Sequence, residues 1–172
     1  PSPYGNGGAT GNAVASWGAT VDLSHPSVPA GTPMQIFQSE RNDLPASPDL
    51  TYSLPVPSGI PVEVRLYLAE MYGGAQVVGG RVFDVKVDGA LAFRDIDVFA
   101  RVGANKGLVL SAPAVSDGSV DIRFVAGVEN PSVKAIEVVT TGDEVPAWLA
   151  AAPSTVEFPQ ATVGLTGTKD VV

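Results

Sequence analysis

The stretch GRVFDVKVDGALAFRD, residues 80–95, decides the fold. Phe83, Val85 and Val87 alternate with Asp84, Lys86 and Asp88. A period of two puts the apolar side chains on one face of a strand and the charged ones on the other. Asp88-Gly89 then supplies the two-residue turn whose positive φ values match strand twist, so a partner strand is expected over 90–95. Upstream, Val62, Val64, Leu66 and Leu68 alternate with Glu63, Arg65, Tyr67 and Ala69, which predicts a second strand with one buried face. Downstream, Val120, Ile122 and Phe124 alternate with Asp121, Arg123 and Val125 after a turn at Asp117-Gly118, and a further strand is expected over 133–139. Helical periodicity is scarce, with short turns expected near 98–102 and 146–151. Many short strands divided by turn signals predict an all-β, antiparallel β-sandwich.

Composition agrees and narrows the function. The chain has 172 residues, of which 45% are hydrophobic, enough for one ordinary domain with a real core. Gly 19 and Pro 15 make it turn-rich. Cysteine is absent, so there is no disulfide framework, thiolate metal site or cysteine nucleophile. His25 is the one histidine and precedes Pro26 in a loop, which argues against histidine-based catalysis or metal binding. A net charge of −8 repels phosphate backbones and anionic lipid, so neither nucleic acid nor membrane insertion is expected. No apolar run is long enough to span a bilayer as a helix.

Along the chain, residues 1–13 read as a Gly-rich arm, 14–140 as the sandwich, 141–153 as a connector, and 154–172 as an orphan strand segment. Residues 24–33 and 42–49 are Pro-rich loops within the sandwich. The segment STVEFPQATVGLTGTKDVV, 154–172, resembles the opening of a bacterial Ig-like repeat. The chain starts at Pro1 without a basic-then-apolar leader and reads as a mature or excised piece.

No enzyme motif is present: there is no G-x-S-x-G elbow, phosphate-binding loop, H-E-x-x-H or complete calcium loop. Glu70, Asp84, Asp95, Asp97, Glu129 and Glu137 are the carboxylates considered for paired acid–base work, and spacing alone brings no two of them together. Asp95-Ile96-Asp97 offers oxygen ligands of the kind Ca²⁺ takes.

A longer ordered pattern is more specific. Tyr52-Ser53-Leu54-Pro55-Val56-Pro57-Ser58-Gly59 leads into residues 62–72, ending Leu68-Ala69-Glu70-Met71-Tyr72. Gly80-Arg81-Val82-Phe83-Asp84-Val85-Lys86-Val87-Asp88-Gly89 follows, then Asp95-Ile96-Asp97-Val98-Phe99. Ile122-Arg123-Phe124-Val125 precedes Glu129-Asn130-Pro131, and Gln38-Ser39-Glu40-Arg41 lies upstream. This series, over roughly 20–140, resembles the malectin and malectin-like carbohydrate-binding domains.

The resemblance implies a jelly-roll sandwich with a sugar site on loops at one end, binding glucose-containing oligosaccharides without chemistry. Tyr72 matches the first of an aromatic pair, with Gly73 in place of the second. Glu129 matches an acidic position before Asn-Pro, and Asn42 stands where an aromatic often follows Glu-Arg. These residue types suit sugar binding. The C–H face of a sugar ring stacks on an aromatic ring, and its hydroxyls pair with carboxylates and amides in a concave site. Tyr72 is the expected platform, with Glu129, Asn130, Arg41 and Glu70 as polar contributors. Structural alternatives stand beside these roles. Tyr72 also suits a strand-end cap, Glu70 suits backbone donors under the loop, and Glu129-Asn130-Pro131 suits a plain turn. Trp17 and Trp148 fall outside the pattern, with Trp148 expected to pack the connector or anchor an interface. A second function is compatible with the same fold: a structural subunit whose terminal arms add as strands to neighbouring copies and build a surface filament.

Overall fold

The computed structural model describes residues 12–43 and 49–142. The arm up to residue 11, most of the connector with Trp148, and the segment 154–172 that resembles an Ig-like opening lie outside the described residues. The first strand begins at Asn12, inside the stretch read as an arm.

Strands β1 Asn12–Ser16, β2 Ser39–Asp43 and β9 Ser132–Val133 form an antiparallel set in the order β1-β2-β9. Strands β4 Pro61–Leu68, β7 Leu108–Val115 and β10 Ala135–Thr140 form another, in the order β10-β4-β7. The single expected strand over 133–139 is thus divided at Lys134, whose backbone N–H donates to the Tyr67 carbonyl at 2.9 Å. Pairing passes there from β2 to β4. Opposite lies a four-stranded sheet, β3-β8-β5-β6, built from β3 Thr51–Pro55, β8 Ser119–Val128, β5 Val82–Val87 and β6 Ala90–Ile96. This is the expected antiparallel β-sandwich.

Local chemistry explains the elements. Asp88 (φ 48°) and Gly89 (φ 76°) both take positive φ in the β5–β6 turn, as a two-residue hairpin of this type requires. Helix α1, Val98–Val102, is capped by Asp97, whose Oδ1 accepts from the Ala100 N–H at 2.8 Å. Asp97 Oδ2 accepts from the Gly79 N–H at 2.6 Å. That carboxylate is therefore engaged by backbone donors. No group of three or more His, Cys, Asp or Glu placed to hold a metal ion occurs among the described residues.

The main core lies between the sheets. Val62, Val64, Leu66 and Leu68 of β4 pack with Phe83, Val85, Val87, Ile122 and Phe124, all buried. Each such side chain contributes roughly 1.5–3 kcal/mol on leaving water. The opposite face of β4 departs from the expected alternation. Glu63 and Arg65 are half-exposed and paired at 2.5 Å, but Tyr67 and Ala69 are buried. They join a second core with Val21, Phe37, Met71 and Val109, in which the Phe37 and Tyr67 rings lie 5.8 Å apart. The segment between β1 and β2 supplies Val21 and Phe37 and covers this face, which a period-two reading of β4 alone does not foresee.

The connections sort into two ends. Turns at 56–60 and 116–118 meet at one end, where the Gly59 N–H donates to the Ser116 carbonyl at 2.7 Å. At the other end gather the loops 69–81, 97–107 and 129–131, tied together by Gln76 Nε2 to Asn105 Oδ1 at 3.3 Å and by Arg81 to the Asn130 carbonyl.

Candidate functional site

At this second end a cavity of about 240 Å³ opens, lined by Trp17, Glu40, Asn42, Tyr72, Glu129 and Asn130, with Ala15 and Arg81 completing it. β1 and β2 build one wall. Ala15 pairs with Glu40 and Ala13 with Asn42, so these positions share one face of the ladder. Trp17 follows two residues after Ala15, at the end of β1, where its N–H donates to the Gln38 carbonyl at 2.8 Å.

The loop after β4 supplies Tyr72, which is 49% exposed. Its backbone N–H donates to Glu70 Oε1 at 2.9 Å. A Cβ on Gly74 would stand 2.6 Å from the Tyr72 ring, so the ring lies directly against a backbone that only glycine leaves open. Gly73, the position of the absent second aromatic, faces open space. The loop after β8 supplies Glu129, exposed and with a positive φ of 56°, and then Asn130.

Beneath the cavity lie two ion pairs. Arg81 Nε donates to Glu70 Oε2 at 2.7 Å, with side chains 5% and 3% exposed. Lys134 Nζ donates to Glu40 Oε2 at 2.6 Å and sits 4.2 Å from the centroid of the Trp17 ring. Burial pushes the Lys134 pKa down, and the Glu40 carboxylate opposes that shift. Both cations are thereby neutralised at the floor, and Glu129 has no ion-pair partner among the described residues.

Of the residues singled out from sequence, Tyr72, Glu129 and Asn130 are brought together on this cavity. Glu70 is not on its lining; it lies behind, holding Tyr72 and Arg81 in place. Arg41 is elsewhere, lining with Tyr52 and Leu54 a separate cleft on the opposite face of β2. Sequence reasoning missed Trp17, Arg81 and the lining role of Glu40, whereas position 42 is one the resemblance marks, with Asn in place of an aromatic. The Gln38–Arg41 and Gly80–Gly89 blocks hold Glu40 and Arg81, and Asn42 directly follows the first, but only the fold turns them toward Tyr72. A larger cleft, about 460 Å³, lies over β3, β8 and β5 and is lined by Thr51, Ser53, Lys86 and Arg123 among others. Arg123 there is held by Asp49 at 2.6 Å, and the Tyr52 ring packs edge-on against Phe124, which leaves it poorly suited as a stacking platform.

The malectin domain family model matches residues 6–136. The chain is similar to Receptor-like protein 4 of Arabidopsis thaliana, with 36% identity over 87 residues, which covers 50% of this chain and 14% of that protein. Among solved structures it is similar to the ANX2 ectodomain from Arabidopsis thaliana, with a TM-score of 0.68 and 13% identity over 80% of this chain and 42% of that one. It also resembles a β-glucuronidase of Bacteroides uniformis, with a TM-score of 0.60 and 16% identity over 77% of this chain and 14% of that one. At such identities the structural likenesses speak for the fold alone. The chain spans a small part of the curated relative it matches.

Proposed function

Because this chain belongs to the malectin domain family, we propose that its loop-end cavity is a carbohydrate-binding site and the domain a non-catalytic module of a secreted or cell-surface protein. The ligand class is a glucose-containing oligosaccharide. The observation that carries this reading is the convergence of an exposed aromatic ring, Tyr72, with Glu129 and Asn130 on one concave surface. The ring offers a face to sugar C–H groups, and the carboxylate and amide offer partners to hydroxyls. A binding role, and not hydrolysis, is supported by the carboxylates themselves. Glycoside hydrolysis uses two working carboxyl groups. Of the two on the lining, Glu40 is committed to Lys134 at 2.6 Å, which leaves Glu129 alone.

Family membership and the 36% identity with a receptor-like protein support an extracellular setting. The tail resembling an Ig-like opening suits a module set among other domains. Strand exchange between copies through the terminal arms would fall on residues outside those described. A glycan array probed with the purified chain and with Tyr72→Ala tests the reading. Binding to glucose-containing glycans that Tyr72→Ala abolishes is the expected result. Absence of binding by the unmodified chain would overturn it.

A further inference from the structure

Resting on that reading of the site, we infer that the cavity takes a single sugar residue, neutral or basic, against Trp17 as a second aromatic wall, and disfavours sugars that carry a carboxylate.

Size is the first argument. Sites that enclose a drug-sized ligand measure roughly 300–1,000 Å³. At about 240 Å³ this cavity falls below that range and suits a single ring. The loops around it are pinned rather than open. Gln76 Nε2 donates to the Glu70 carbonyl at 3.3 Å, the Gly79 N–H to Asp97 at 2.6 Å, and Arg81 to the Asn130 carbonyl.

The second argument is the wall. Trp17 lines the cavity together with Tyr72. The indole is held in place: the buried Lys134 ammonium lies 4.2 Å from its centroid, and the ring packs against the second core. Fixed aromatic surfaces bind with little loss of side-chain freedom. Ala15, two residues earlier on the same strand face, is too small to fill the space beside the indole.

Charge is the third argument. Arg81 is neutralised by Glu70 at 2.7 Å and Lys134 by Glu40 at 2.6 Å. Glu129, exposed at the rim, leaves the lining with one uncompensated negative charge. A uronate would meet that charge with no unpaired cation among the described lining residues to receive it, whereas a hydroxyl or an amino group meets an acceptor.

Calorimetric titration of the full chain separates the possibilities. The probes are glucose, maltose, longer linear maltooligosaccharides, and maltose with its terminal residue oxidised to glucuronate. Glucose-terminated ligands are expected to bind with affinities that stay level beyond the first residues. The glucuronate-terminated ligand is expected to bind roughly 2- to 5-fold more weakly, with the gap narrowing in Glu129→Gln. Trp17→Ala is expected to weaken binding roughly 2- to 10-fold, with partial recovery in Trp17→Tyr, which keeps the packing and a ring. Circular dichroism of each variant confirms that it is folded. If Tyr72→Ala abolishes binding while both Trp17 variants bind as the unmodified chain does, the site stands and this inference falls. It falls as well if affinity climbs steadily with chain length, or if the glucuronate binds equally well. If no probe binds, the carbohydrate reading itself fails, and this inference with it.

Discussion

Arg81 Nε donates to the Glu70 carboxylate at 2.7 Å, with both side chains almost wholly buried. The other Glu70 oxygen holds the Tyr72 N–H at 2.9 Å, and the far end of Arg81 holds the Asn130 carbonyl. One ion pair therefore joins the two loops that present Tyr72 and Glu129. Breaking such a pair from one side strands a buried charge, which costs about 3–5 kcal/mol, whereas replacing both partners with apolar groups is far milder. Arg81→Met is expected to lose stability of that order in urea unfolding, and Glu70→Leu/Arg81→Met to regain most of it. The double variant should still bind glycans poorly, because neither loop is then held. Equal unfolding midpoints for Arg81→Met and the unmodified chain would show that the pair does not support the fold.

Gly74 makes room for the Tyr72 ring. An added Cβ would stand 2.6 Å from it, and the ring is the far end of an exposed, movable side chain. Gly74→Ala should therefore displace the ring at little cost in stability, within about 0.5 kcal/mol as for ordinary surface changes. Glycan affinity should fall roughly 2- to 10-fold, the worth of one lost aromatic contact. Unchanged affinity on a titration curve would mean that Tyr72 does not touch the ligand.

The two-residue periodicity of β4, β5 and β8 made the sandwich legible, because a sheet with one buried face writes its burial directly into sequence alternation. The same rule failed at Tyr67 and Ala69, which look outward by parity yet are buried under Phe37 and Val21. A covering segment leaves no periodic trace on the strand it covers. Tyr72 and Glu129, singled out by the resemblance, come together on one cavity because each lies in a loop at the same end of the sandwich. The site was not legible for Trp17 and Glu40, which meet only because β1 pairs with β2 in one register. Arg41 shows the converse. One residue beyond Glu40 on the same strand, it faces the opposite side.

Phe37 is wholly buried and is the central ring of the second core. Phe37→Ala removes it from contact with Tyr67, and large-to-small aromatic changes of this kind cost about 3–5 kcal/mol. Because Trp17 packs on the same cluster, the variant should also lose part of its glycan affinity while the main core between the sheets persists. Hydrogen exchange would show it as lost protection over the segment between β1 and β2, with β5 and β8 still protected. Uniform loss across all strands would mean that the two cores unfold as one.

Lys134 gives the fold a pH dependence of definite sign. Burial lowers its pKa from 10.5, and the Glu40 carboxylate only partly offsets that. Between the lowered folded value and 10.5 the unfolded chain holds more protons than the folded one, so stability rises with pH across that window. Below the window both states are protonated, and the cost of the buried cation is present in full. Tyr52 and Tyr67 act oppositely. Burial raises both above 10.0, so the folded state keeps protons that the unfolded chain loses, and stability falls as pH climbs past that value. A reference variant that keeps the tyrosines, Glu40→Gln/Lys134→Met, cancels their contribution. The unfolding free energy of the unmodified chain minus that of this variant should therefore increase from neutral pH toward 10.5. A flat or falling difference in urea unfolding would mean that Glu40 compensates the ammonium fully, and that burial sets no penalty on the charge beneath Trp17.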